Sequence, residues 1–135
     1  MTVTVSWLHN ETRPVECQAL SDVLAEAAAA REPVVVVLEA EGAALHLVAG
    51  DSTGTVVLYH PPGYEDVGVG SLHSVGDLHL ARADAWEPPL TAYFFGHHTE
   101  FPRWSVVAHE VGQRATAQFC KRPIDAPPAV SWEPD

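Results

Sequence analysis

The chain has 135 residues, a length at which roughly two thirds of the unfolded surface can be buried and one core formed. Its 7 Lys plus Arg stand against 18 Asp plus Glu, a formal net charge of −11, so approach to nucleic-acid phosphates or an anionic lipid surface would add like-charge repulsion in place of counterion release. Nucleic-acid binding and membrane-surface binding are disfavoured, while 47% hydrophobic residues place the chain with ordinary globular domains.

The first segment alternates Val3, Val5 and Trp7 with polar residues, the period of a half-buried strand over Thr2 to Leu8. Leu20, Val23, Leu24, Ala27 and Arg31 recur at helical spacing, and Pro33 blocks continuation, which predicts a helix from about Glu16 to Arg31. Val34 to Leu38 is a β-branched run suited to a central strand. Turns at Glu41-Gly42 and at Asp51 to Gly54 separate it from strands at Leu45 to Val48 and Thr55 to His60, predicting an antiparallel meander.

Residues 61–76 carry Pro61, Pro62 and glycines at 63, 68, 70 and 76, so they read as loop with at most a short strand near Val67 to Val69. Leu78-His79-Leu80 reads as a short edge piece. After Pro88-Pro89 comes a strand over Leu90 to Phe95, with Ser105-Val106-Val107 pairing back. The spacing of Val111, Ala115, Phe119 and Arg122 predicts a helix from near His109 to Pro123, weakened by about 1 kcal/mol by Gly112. An edge strand or packed arm ends the chain at Val130 to Trp132. No repeat or linker divides residues 1–135, which read as one α+β domain: a mostly antiparallel sheet of about five to seven strands with two helices packed on one face.

The first residues lack the basic region and apolar run of a secretory leader, and no window approaches a membrane span, so the expectation is a cytoplasmic chain. In that compartment Cys17 and Cys120 are expected as reduced, partly buried small hydrophobes without a disulfide. Neither lies in a nucleophile motif, and the C-terminal end of a helix favours a protonated thiol at Cys120.

Eight histidines raise the question of a metal. His97, His98 and Glu100, followed by His109-Glu110, define the alternative reading, a small metal-dependent hydrolase. The spacing opposes it, because Gln113 stands where a zincin helix needs its second histidine. No phosphate-loop, dinucleotide or G-x-S-x-G motif occurs. Solvated or capping histidines are the simpler account, and no cofactor is expected.

An ordered set of features in the last forty or so residues resembles the immunity protein 1 family of bacterial polymorphic toxin systems. They are Tyr93-Phe94-Phe95-Gly96 with Glu100-Phe101-Pro102, the strand Ser105-Val106-Val107, the helix with Ala115 and Phe119, and Arg122-Pro123 leading to Val130-Ser131-Trp132. Weaker agreement extends back through Thr55 to Tyr59. Each piece alone is structural; their joint order carries the likeness. The resemblance implies a non-enzymatic cytoplasmic antidote that binds a cognate toxin, often one similar to nucleic-acid deaminases, and it transfers no contact residues.

A basic toxin groove would suit the acid, which is concentrated: Glu39, Glu41, Asp51, Glu65, Asp66, Asp77, Asp84 and Glu87 face only Arg82 between positions 39 and 87. The expected partner-facing residues are Tyr64, Glu65, Asp66 and Asp77 in one loop, with Trp86 and Glu87. A solvated acidic loop is the competing reading. Oligomeric state is open between a monomer and a homodimer built through the edge strand near Trp132.

Overall fold

The computed structural model describes residues 2–7, 12–64, 70–76, 89–94 and 97–134. In chain order the elements are β1 (Thr2–Trp7), β2 (Arg13–Glu16), a 3-10 turn (Cys17–Ala19), α1 (Leu20–Ala28), β3 (Val34–Ala40), β4 (Ala43–Ala49), β5 (Val57–His60), β6 (Leu72–Ser74), β7 (Leu90–Phe94), β8 (His97–Phe101), a second 3-10 turn (Arg103–Ser105), α2 (His109–Lys121) and β9 (Trp132–Pro134). The architecture is α+β with a dominant, mostly antiparallel sheet, as the hydrophobic patterning indicates.

The sheet runs in the order β2-β1-β3-β4-β5-β6-β9. Its centre is the valine-rich β3, joined to β4 by a two-residue turn in which Glu41 and Gly42 both have positive φ (52° and 81°), the backbone hand that matches a twisted hairpin. Along one edge β3 is shared: β1 pairs antiparallel with its C-terminal half, and β7 meets it in parallel at Val34, opposite Tyr93. β8 then pairs with β7.

The strand count exceeds the sequence expectation, for local reasons. Arg13-Pro14-Val15-Glu16 hides its strand behind a proline, tolerable at the outer edge of the sheet where no second ladder needs its N–H. The partner of β7 is the polar segment His97–Phe101 and not Ser105-Val106-Val107; Ser105 closes a 3-10 turn, and Val107 forms a single bridge to Thr55. The first helix is also shorter than its periodicity suggests, because Glu16 belongs to β2 and residues 17–19 wind as a 3-10 turn. The expected pieces at 67–69 and 78–80 lie outside the described residues.

Strand alternation sends Val34, Val36 and Leu38 to a cluster shared with Leu45, Leu47, Val57 and Tyr59, together with Leu20, Val23 and Ala27 from α1 and Ala115, Phe119 and Cys120 from α2. Each large aliphatic or aromatic side chain removed from water there contributes about 1.5–3 kcal/mol. A smaller cluster on alternate positions holds Val35, Val48, Val56, Leu90 and Ala92. Tyr59 crosses the main cluster and donates a 2.9 Å hydrogen bond to the Pro123 carbonyl, fastening the chain beyond α2 to β5.

Gly112, costly to a helix in isolation, has a packing reason. A Cβ there would stand 2.7 Å from the Thr55 Cγ2 methyl, so the missing side chain lets α2 approach the strand. Gly76 serves similarly, since a Cβ would overlap the Val106 carbonyl where its own N–H bonds the Trp104 carbonyl at 2.7 Å.

The cysteine expectation is overturned. Cys17 and Cys120 form a disulfide, with Cα atoms 6.0 Å apart despite 103 residues of separation. Their spacing could not reveal this; β2 returning along β1 delivers Cys17 to the last turn of α2, a meeting set by topology alone.

Candidate functional site

The sheet's alternate positions bring a set of polar aromatics together. In register across four strands stand Val37, His46, Leu58 and His73. The neighbouring row places Glu39, Ala44 and His60 side by side. Because side chains on paired strands share a face when their residues are opposite, Glu39, His46, His60 and His73 rise from the same side as the smaller cluster, opposite the positions that meet Phe119.

The His46 and His60 rings lie 4.4 Å apart between centroids, and Phe94 sits 5.6 Å from His46. His60 is 5.1 Å from the Tyr64 ring and within 2.6 Å of the Ser71 hydroxyl through Nδ1. His73 meets Trp104 edge-on at 5.0 Å. Burial, and then the neighbouring His60, push the pKa of His46 down to about 3, so this imidazole is neutral at physiological pH and packs as a polar aromatic. Leu58, His60, Tyr64, His73, Phe94 and Trp104 are all half-buried, and Glu39 is exposed at the margin.

Of the six residues expected to face a partner, Tyr64 falls within the described chain, and it is delivered to this face by its contact with His60. Glu65, Asp66, Asp77, Trp86 and Glu87 lie outside the described residues. The histidine rows themselves escaped sequence reasoning. Their signal is one histidine on the alternate positions of each of β4, β5 and β6, visible only once the register is known.

The residues of the hydrolase reading are not gathered. His98 bonds the Glu32 carboxylate at 2.9 Å and stands edge-on to Tyr93, whereas His109 Nε2 reaches the Asp51 carbonyl at 2.6 Å. His97 and His98 project to opposite sides of β8. Among the described residues no group of three His, Cys, Asp or Glu side chains is arranged to hold a metal ion.

An apolar groove lies on the other side of the molecule, between the two helices. One part, about 350 Å³, is walled by Leu20, Leu24, Thr116 and the two cysteines. It continues over Ala28, Ala49 and Gly112 in a second part of about 430 Å³. No described helix is long and apolar enough to cross a membrane.

Half-buried aromatic and histidine side chains thus stand beside exposed Glu39 on one side of an α+β sheet. The family model for immunity protein Imm1 matches residues 9–134, and the chain belongs to that family. It is an immunity protein of a toxin system. No curated protein matches the chain.

Proposed function

We propose that this protein binds a cognate polymorphic toxin in the cytoplasm and neutralises it without catalysing a reaction, the toxin being one that acts on nucleic acid, such as a deaminase-like domain. The observation that carries the reading is the family match across nearly the whole chain. The net charge of −11 supports the choice of toxin, because an enzyme that works on nucleic acid presents a basic groove which an acidic protein can fill, and the opposed fields accelerate encounter.

The partner-facing surface in this proposal combines Tyr64, Glu65, Asp66 and Asp77 with Trp86 and Glu87, continued onto the sheet by His60 and Glu39. Aromatic side chains anchor, and carboxylates set register and association rate. The test is association kinetics with the toxin domain encoded in the adjacent reading frame. Charge reversal at Glu65, Asp66 and Asp77 is expected to slow association about tenfold at low salt and flatten its salt dependence. Unchanged rates and salt slope reject this surface.

A further inference from the structure

Cys17 and Cys120 join the segment after β2 to the last turn of α2, and both wall the groove between the helices. Their environments differ. Cys120 is 6% exposed and belongs to the main core cluster, whereas Cys17 is half-buried and packs against that cluster from its margin. Both sulfurs therefore have apolar surroundings in which a thiol packs as a small hydrophobe. The residues around them, Leu20, Leu24, Ala115 and Phe119, also pack into the main cluster with Val36, Leu45 and Val57 of the sheet.

We propose that the Cys17–Cys120 disulfide is a thiol-reversible staple, opened by attack at Cys17 from the groove, and that the dithiol form keeps the same fold. A glutathione-class thiolate attacks Cys17 Sγ; the sulfur–sulfur bond breaks, and its electron pair leaves on Cys120 Sγ. That sulfur departs as a thiolate and then takes a proton from water to leave Cys120 as a thiol. A second thiolate attacks the mixed disulfide at the glutathione sulfur and releases Cys17. The balance is one protein disulfide plus two small thiols giving a protein dithiol and one oxidised small disulfide.

The bond closes a 103-residue separation, and a cross-link over so long a loop removes much of the unfolded chain's freedom. Two folded forms of unequal resistance to unfolding follow: a tighter one under oxidising conditions and a looser one in a reducing cytoplasm.

The experiment uses wild-type protein purified without reductant, exposed to reduced glutathione, quenched in acid at successive times and mapped by mass spectrometry, with melting and far-ultraviolet circular dichroism before and after. The expected results are no alkylatable thiol at the start, an early glutathione adduct on Cys17, two alkylatable thiols at the end, an unchanged dichroism spectrum and a Tm lower by roughly 10–20 °C. The double variant Cys17→Ala with Cys120→Ala should melt at or a little below the reduced Tm, because it also loses the packed Cys120 sulfur, and should ignore reductant. Two free thiols at the start, an early adduct on Cys120, or loss of the folded spectrum on reduction each overturn the proposal.

Discussion

The two sides of the central sheet solve different problems with the same strands. Towards the Phe119 cluster, β3 to β5 present Val34, Val36, Leu38, Leu45, Leu47 and Val57, side chains without polar atoms that fill space. On the alternate positions the same strands present Glu39, His46, Leu58 and His60, and only the end near Val35, Val48 and Val56 is purely apolar. The first side is built for density, where a lost methylene is felt. The second carries polar side chains on the same strands, and it is the side onto which the proposed partner surface extends.

The apolar side is the more sensitive to substitution. Phe119 is fully buried, and Phe119→Ala is expected to cost about 3–5 kcal/mol, read as a lower denaturation midpoint. The histidine side should respond instead to acid. The folded pKa of His46 is held at about 3, below its ordinary 6.5, so between those values the unfolded chain binds the extra proton and stability falls as pH falls. Acidification from pH 7 to pH 5 should remove about 2 kcal/mol through this group. His46→Leu should flatten that slope in urea titrations across the window; an unaltered slope places the acid sensitivity elsewhere.

Smaller changes sharpen the boundary between the sides. Tyr59→Phe leaves the Pro123 carbonyl without its buried donor, for an expected loss of about 1–1.5 kcal/mol in equilibrium unfolding. Gly112→Ala gains helix propensity but drives a methyl against Thr55 Cγ2. The clash should win, for a net destabilisation of about 1 kcal/mol. Thr55→Ser removes that methyl while retaining the hydroxyl that bonds the Val48 carbonyl at 2.7 Å, and in its presence Gly112→Ala should turn neutral or stabilising.

Features with local causes were readable in advance. Pro123 stops α2, Glu41-Gly42 turns β3 into β4, and the valine run marks the sheet's centre; each rests on backbone chemistry within a few residues. What depends on meetings between distant segments was not. β8 is a strand because β7 supplies a ladder for polar residues, and the disulfide exists because two elements far apart in sequence converge. The candidate face divides in the same way. Tyr64 stands out as an aromatic in an acidic loop, but His46, His60 and His73 become one feature only through strand register.

We propose that this immunity protein acts by occupying its toxin. The most direct measurement is a titration of toxin activity with purified protein at toxin concentrations well above the dissociation constant. With one-to-one occupation, activity falls linearly and disappears only when protein matches toxin in amount. Silencing of a molar excess of toxin by a small fraction of that amount would contradict it, because only turnover could produce that result.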